Sequence, residues 1–348
     1  MRLAYSHSMT SSLRPATGAA SGPRSSNRVV AVVYNPINVD RDEIRAAIDA
    51  DPDSGSWAEP MWLETSEEDP GEGVTESAVE AKVDLVIAAG GDGTVRAVAE
   101  SLRGSGIPLA LLPSGTGNLL ARNLDLTLDD VGHSIRSALG GIDRKIDLGV
   151  IDIRREDGSR DRHAFLVMAG LGVDAKMVEK TNAKLKKRVG WLAYVDAIAR
   201  AMRDKSQLRL RYRLDEGATR RISAHTLIIG NCGSLPANML LMPDALIDDG
   251  VFDIVFLRPE GFVGWVKIWL RVAWENGIIR RTRIGRTLMG EAKAIRALQY
   301  DTAASITAKF NRAEAIELDG DSFGKAVAIK SWIDPLALTV RLPADKTD

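Results

Sequence analysis

Five residues in the first third of the chain combine backbone freedom with a carboxylate and a hydroxyl. They follow an apolar run at residues 86–89 and are Gly90, Gly91, Asp92, Gly93 and Thr94. Glycine adopts conformations that other residues avoid and lets the backbone approach a ligand closely. Amides at the start of a following helix suit phosphate, whereas Asp92 would instead hold a cation, through water. The pattern predicts either a phosphate and metal site or an ordinary strand-to-helix turn.

A second loop of the same kind lies one βα unit downstream. It closes the apolar run at residues 109–112 and consists of Pro113, Ser114, Gly115, Thr116, Gly117 and Asn118. In a parallel sheet both loops open at the carboxyl edge, where open α/β sheets bind ligands. Neither loop is a Walker A motif, because no Gly-Lys-Ser/Thr follows the glycines. With no lysine in either loop, backbone amides and a metal ion must neutralise bound phosphates.

The two loops, with Ala-Arg-Asn-Leu at residues 121–124, resemble the catalytic domain of diacylglycerol kinases. The resemblance is closest to the bacterial soluble lipid kinase branch, which is related to sphingosine and ceramide kinases. Segments at residues 169–175, 243–250 and 317–321 also match, so the resemblance covers nearly the whole chain after residue 27. It implies an ATP- and Mg²⁺-dependent kinase that phosphorylates the hydroxyl of diacylglycerol or a related lipid. The implied nucleotide contacts are Asn35, Gly90, Gly91, Gly93, Thr94, Ser114, Gly115, Thr116, Gly117 and Asn118, with Asp92 as a catalytic residue that positions Mg²⁺.

Asp319 is the candidate general base, in the segment Glu317-Leu318-Asp319-Gly320-Asp321. The resemblance places a catalytic acid in this Leu-Asp-Gly segment, and phosphoryl transfer needs an acceptor for the proton of the attacking hydroxyl. Asp321 stands where relatives usually carry Glu, so it is a supporting acid with a shorter reach. The same residues are also typical of a tight Asp-Gly turn.

Asp248 and Asp249 are two adjacent carboxylates before an apolar run. Oxygen ligands of this kind can bind a hard cation, and some relatives use the segment for a structural Mg²⁺. The pair is also ordinary turn chemistry, so both interpretations stay open. The four histidines are scattered and have no zinc-ligand spacing.

Three departures from the family pattern keep other functions open. Residues 37–39 are Ile-Asn-Val instead of small residues, Arg96 and Ala97 replace Asn and Glu, and Asp321 replaces Glu. One alternative is an NAD kinase-like enzyme, since such enzymes share Gly-Gly-Asp-Gly-Thr. Another is an inactive relative that binds or regulates lipid.

The element pattern predicts an α/β fold joined to a β fold. Apolar runs alternate with helical segments through residues 28–145, which favours a parallel α/β nucleotide-binding domain. Short strand-like runs through residues 146–343 favour an antiparallel β-rich domain for the lipid substrate. Helices are expected at residues 190–203 and 261–276. Residues 1–27 lack the apolar core of a secretory signal, and we expect a disordered tail.

Composition limits the location and the partners of the protein. The 348 residues carry a net charge of −1 and one cysteine, Cys232, which fits a reducing compartment such as the cytoplasm. Charge is uneven, with 14 acids and 2 bases over residues 40–80 but 12 bases and 3 acids over residues 176–213. The basic stretch 184–188 and the tryptophan-rich helix predicted at 261–276 suggest peripheral contact with an anionic membrane. No nucleic-acid partner is expected, and a homodimer is kept open.

Overall fold

The computed structural model describes residues 28–172, 207–235, 239–240, 242, 245–259 and 298–344. The predicted tail at 1–27, the basic stretch at 184–188 and the two predicted helices at 190–203 and 261–276 lie outside the described residues.

The first part of the chain alternates strands and helices. Strands β1, β3 and β4 are buried at every position, as their continuous apolar sequences predict. Asp side chains cap two of the helices, with Asp40 accepting from the backbone N–H of Asp42 and Asp130 from that of His133. The elements are β1 Val30–Tyr34, α1 Arg41–Asp49, β2 Met61–Glu64, α2 Glu72–Glu80, β3 Leu85–Gly90, α3 Asp92–Leu102, β4 Leu109–Pro113, α4 Leu119–Asn123 and α5 Val131–Gly140.

The second part is built from antiparallel strands. They are β5 Ile142–Arg154, β6 Arg160–Phe165, β7 Met168–Leu171, β8 Leu208–Leu214, β9 Arg220–Ala224, β10 Thr226–Gly230, β11 Ser234–Leu235, β12 Met239–Leu240, β13 Phe252–Leu257, β14 Leu298–Ala303, β15 Ser305–Leu318 and β16 Asp321–Leu342. The predicted class, a parallel α/β part followed by an antiparallel β-rich part, is confirmed.

One sheet joins the two parts among the described residues. Its strands run β14-β13-β10-β7-β15-β16-β4-β3-β1-β2, with β5 and β6 attached beside β16, and β8 and β9 beside β15. Strands β1 to β4 are parallel to one another. The long strand β16 pairs with β15 and β5 and then reaches β4, where Val340 lies opposite Leu109. The predicted domain boundary at residues 145–146 stays a prediction.

Apolar side chains form the core on both sides of this sheet. The parallel strands bury one set against α1 and α5 and another against α2, α3 and α4. In the antiparallel part, inward-facing residues of β5, β8, β9, β15 and β16 form a separate core. Cys232 is buried and has a free thiol. Within the described ranges, we find no helix with the length and apolar character needed to span a membrane.

Candidate active site

The two glycine loops open at the same edge of the parallel sheet, as predicted. Gly90 at the end of β3 lies opposite Pro113 at the end of β4. The backbone N–H of Ser114 donates to the carbonyl of Gly90 at 3.1 Å. The end of β1 lies at this edge too, since Tyr34 is opposite Ala89. Both loops and Asn35 therefore lie together at the carboxyl edge, and we call this region the cleft.

The backbones of the two loops touch each other. A Cβ built on Gly115 would lie 2.7 Å from the Cα of Gly91, whereas one on Gly91 would lie 3.7 Å from the Cα of Gly115. Only a residue without a side chain fits at Gly115. This close approach brings the two loop backbones together, with the N–H groups of Ser114 and Gly115 bonded to Gly90 and Asn118.

Asp92 is the first residue of α3 and links the loops. Its Oδ1 accepts from the backbone N–H of Leu119 at 2.5 Å. A Cβ on Gly117 would overlap its other carboxylate oxygen. Burial raises the pKa of Asp92, the amides of Leu119 and Asn118 oppose that shift, and the charge of Asp321 raises it further.

Several predicted nucleotide contacts also shape the loops. Thr94 packs against Gly90, where an added Cβ would lie 2.7 Å from the Thr94 side chain. Asn118 has a left-handed backbone with φ of 48°, and its side-chain amide makes two hydrogen bonds to the backbone of Gly115. Asn35 accepts from the backbone N–H of Ile37 at 2.9 Å. These side chains hold the loop shape.

Ser114 and Thr116 remain available to a ligand. The Oγ of Ser114 is buried and has no hydrogen-bond partner among the described residues, and Thr116 is exposed at the loop tip. A buried hydroxyl without a partner is costly. A bound phosphate oxygen would satisfy it.

Asp319 lies in a tight turn between β15 and β16. Asp319 and Gly320 have φ values of 49° and 92°, and Leu318 pairs with Asp321. Two successive left-handed residues between paired strands form the hairpin turn typical of Asp-Gly. The turn interpretation of this segment is therefore confirmed.

The carboxylate of Asp319 is occupied by backbone amides. Its Oδ2 accepts from Leu166 at 2.7 Å, and its Oδ1 accepts from Val167 at 2.8 Å and from Met168 at 2.9 Å. The residue is only 5% exposed. Burial raises the pKa of Asp319 to about 6, although the three amides and the charge of Arg96 act against the shift. These contacts fix the connection between β6 and β7. The role of Asp319 as general base stays a prediction.

Asp321, two residues later, faces the glycine loops instead. A Cβ on Gly93 would lie 2.8 Å from its Oδ2. Asp321 is solvent-accessible, although partial burial raises its pKa and the charge of Arg96 lowers it. On the neighbouring strand, burial and the charge of Asp321 raise the pKa of Glu317 to about 7. Asp92, Asp321 and Glu317 thus form a chain of interacting carboxylates at the cleft.

Arg96 supplies the positive charge beneath this cluster. Its side chain is only 7% exposed and pairs with Glu100 at 3.2 Å, one turn along α3. The guanidinium also lies 4.6 Å from the ring centre of Phe323, just after Asp321 in β16. In the sequence, Arg96 was notable only as a departure from the family pattern. The Arg-Glu spacing on a predicted helix predicts the Glu100 pair, but nothing local predicts the contact with β16.

The second proposed metal site contains an ion pair. Asp248 accepts from Arg144 at 2.6 Å, and Asp249 accepts from the backbone N–H of Val251 at 3.2 Å. Nearby, the fully buried Asp147 accepts from the backbone N–H groups of Gly250 and Leu336. The sequence predicted no role for Asp147, because an Asp within a strand belongs to no recognisable motif. A metal at Asp248 and Asp249 stays a prediction.

The loop cleft suits Mg²⁺ bound together with a nucleotide. No cluster of three or more His, Cys, Asp or Glu side chains arranged to hold a metal occurs in the part of the chain that the structure describes. Magnesium commonly uses one or two carboxylates, with waters and substrate phosphates completing its shell. Asp92 provides such a carboxylate, and the touching glycines and the Ser114 hydroxyl provide a phosphate cradle. The residues present therefore fit ATP with Mg²⁺.

Comparison with known families matches both parts of the chain. Residues 31–151 match the diacylglycerol kinase catalytic domain, and residues 167–272 match the YegS C-terminal NAD kinase beta sandwich-like domain. The first match includes both glycine loops, and the second ends before the hairpin that carries Asp319 and Asp321.

Similar proteins have names of the same kind. A probable lipid kinase YegS-like from Pseudomonas fluorescens is 31% identical over 314 residues, which cover 87% of this chain and 92% of that protein. A diacylglycerol kinase from Mycobacterium tuberculosis is 30% identical over 187 residues, or 53% of this chain and 58% of that protein. A crystal structure of a diacylglycerol kinase from Bacillus anthracis shares the fold, with a TM-score of 0.63 at 20% identity, covering 92% of this chain and 98% of that one.

Proposed function

The chain belongs to the YegS-like branch of the diacylglycerol kinase catalytic-domain family, and from this premise we propose a specific reaction. It transfers the γ-phosphoryl group of ATP, with Mg²⁺, to the hydroxyl of diacylglycerol or a related lipid. The observation that carries the proposal is the position of Asp321 against Gly93, beside Asp92. Two carboxylates from distant parts of the sequence meet where the glycine loops can hold phosphate.

The loops bind and orient the nucleotide. Backbone amides at the start of α3 and at the tip of the second loop, together with the hydroxyl of Ser114, contact the phosphates. Asp92 holds Mg²⁺, which neutralises phosphate charge when bound. Asp92 is well suited to this role, because Leu119 fixes one oxygen and leaves the other near Gly117.

Asp321 is the better proton acceptor of the two hairpin acids. During transfer, the lipid oxygen forms a bond to the γ-phosphorus as the bond from that phosphorus to the bridging oxygen breaks. The electron pair leaves with ADP, and the hydroxyl proton passes to a carboxylate. Asp321 reaches solvent and the cleft, whereas Asp319 has both oxygens committed to amides. Asp319 is then a positioning residue for the turn that carries Asp321.

The family membership favours a lipid kinase over an NAD kinase-like enzyme. The second alternative is an inactive relative that binds lipid, and an activity measurement separates it from a kinase. The retained Asp92, Ser114 and Asp321 support catalysis, because a binder has no use for two repelling carboxylates beside a phosphate cradle.

The test is transfer of labelled γ-phosphate from ATP into a product that extracts into organic solvent. Diacylglycerol, sphingosine and ceramide are offered in mixed micelles with Mg²⁺. We expect a labelled lipid with the wild type, and a loss of about 100-fold or more in D92N. The matched control is D49N, at the exposed end of α1, which should retain full activity. A parallel reaction offers NAD, with the aqueous phase counted. Label in NAD, or lipid binding without transfer, would reject the proposal.

A further inference from the structure

The outer face of the antiparallel part carries a row of positive charge. In β9, β8, β15, β16, β5 and β6, directly paired residues share one face of the sheet. One such row consists of Arg221, Arg211, Lys309, Ala328, Arg154 and Arg160. Five of its six members are cations, and all five are exposed.

The neighbouring row continues this charge. It consists of Arg213, Thr307, Lys330, Asp152 and Arg162. Asp152 is the one carboxylate of the two rows, and Arg162 binds it at 2.7 Å. Trp332 follows Lys330 on this face, with the amine of Lys330 5.5 Å from its ring centre and the guanidinium of Arg162 5.1 Å away. We call the two rows and Trp332 the basic sheet face.

This arrangement costs stability in the isolated chain. Like charges that lie directly opposite each other on adjacent strands repel, and Arg211 lies opposite both Arg221 and Lys309. Cations on edge strands commonly protect a sheet from unwanted pairing. That explanation covers only β9 and β6, since β8, β15, β16 and β5 each pair on both sides. An anionic partner would offset the repulsion among the cations on these inner strands.

The size and composition of the face select the kind of partner. With strands spaced ~4.8 Å apart, the first row crosses six strands and is ~24 Å wide, and the second crosses five and is ~19 Å wide. Both widths exceed one phosphate group and suit an extended anionic surface. Single-stranded nucleic acid is held on aromatic stacking platforms, whereas the two rows contain no aromatic side chain. The one aromatic, Trp332, lies between two cations, and tryptophan beside basic residues is typical of membrane interfaces.

We propose that the basic sheet face docks on the surface of an anionic lipid bilayer. This inference rests on the proposed function in one respect, since a lipid kinase must reach a substrate that resides in a bilayer. The cations contact lipid phosphates, and Trp332 lies at headgroup level. Docking through the β-rich part brings the enzyme to its substrate. The nucleotide loops lie on the parallel sheet, outside the basic sheet face.

The test is co-sedimentation of the full chain with vesicles. One set contains phosphatidylcholine alone, and the other contains equal parts of phosphatidylcholine and phosphatidylglycerol. The variant R211E/R221E/K309E reverses three neighbouring charges of the basic sheet face. The control R136E/K82E/K145E makes the same change in net charge at sites outside that face, and thermal unfolding checks that both variants fold.

We expect the wild type and the control to bind anionic vesicles at about 0.1 M salt and to dissociate at about 1 M. The face variant should bind about 100-fold more weakly, since each basic residue near an anionic surface contributes ~5-fold. Equal binding of the two variants, or no wild-type binding, would overturn the inference. The inference would also be overturned if the face variant lost self-association or oligonucleotide binding while its vesicle binding stayed unchanged. Vesicle binding needs no ATP. Binding to anionic vesicles by a protein that phosphorylates no lipid would therefore reject the proposed kinase function and support docking by the basic sheet face.

Discussion

The carboxylate of Asp321 occupies the space beside Gly93 that a larger residue would fill, with only 2.8 Å between its Oδ2 and a Cβ built on Gly93. Gly93 belongs to the first turn of α3, and Asp321 begins β16. The β15–β16 hairpin therefore reaches the phosphate loop of the parallel sheet. In the proposed function, this contact places the Asp321 carboxylate beside the phosphate loop.

Substitution of Gly93 tests the contact without removing a charge. We expect G93A to displace the Asp321 carboxylate and lower phosphoryl transfer by about 100-fold, the scale of a small misplacement of a reacting group. Stability should not fall, because alanine favours a helix interior by about 1 kcal/mol over glycine and Asp321 can rotate away. Steady-state kinetics and thermal unfolding measure the two effects. Wild-type activity in G93A would contradict the proposed role of this contact in phosphoryl transfer.

Asp319 and Asp321 should separate stability from turnover. D321N should lower kcat by about 10²–10⁴-fold, as expected for loss of a general base, with little change in unfolding. D319N places an amide where Asp319 accepts from Leu166, Val167 and Met168. An amide NH₂ then faces a backbone N–H, so we expect a loss of about 1–3 kcal/mol in the free energy of unfolding.

Urea unfolding and single-turnover transfer, measured on both variants, decide between the two roles. If D319N unfolded like the wild type but transferred no phosphate, the base would be Asp319 and the positioning role would be rejected.

The sequence predicted the parallel half closely because its signals are local. Strands buried on both faces read as continuous apolar runs, and the glycine loops follow β3 and β4 directly. The antiparallel half was harder. The strand-like runs in the sequence did not include β9, β14, or most of β15 and β16. In β16 the reason is that Gly324 and Pro335 are typical turn residues, yet the strand runs through both. Pairing with β5 and β15 overrides that local preference.

The site was predictable in its composition but only partly in its roles. Asp92 and Ser114 lie where their motifs place them. The preference for Asp321 over Asp319 depends on three amides near residue 167, about 150 positions away in the chain. Sequence spacing carries no information about which carboxylate those amides occupy.

Glu317 provides a test of the carboxylate cluster through pH. Its folded pKa of about 7 exceeds the ordinary value of 4.5, so between these values the folded state keeps a proton that the unfolded state releases. The wild type therefore loses a stabilising contribution as pH rises through this interval. E317Q lacks that titration, so its free energy of unfolding should rise relative to the wild type between pH ~5 and pH ~8. Urea unfolding at both pH values measures the difference, and parallel behaviour would mean that Glu317 is not perturbed.

The two glycines that meet across the loops should respond unequally to alanine. At Gly115 a Cβ would lie 2.7 Å from the Cα of Gly91, and the obstacle is backbone that cannot rotate away. G115A must push the loops apart, and we expect a loss of about 1–3 kcal/mol, as in overpacked cores.

Gly91 is the matched control, because a Cβ there meets nothing closer than 3.7 Å and its φ of −86° suits any residue. G91A should lose only the small preference for glycine over alanine at a helix N-cap, about 0.5–1 kcal/mol. Thermal unfolding in the absence of nucleotide isolates this comparison from phosphate binding. Equal destabilisation by the two substitutions would show that the loops do not touch in solution, and the shared phosphate cradle would then lose its geometric basis.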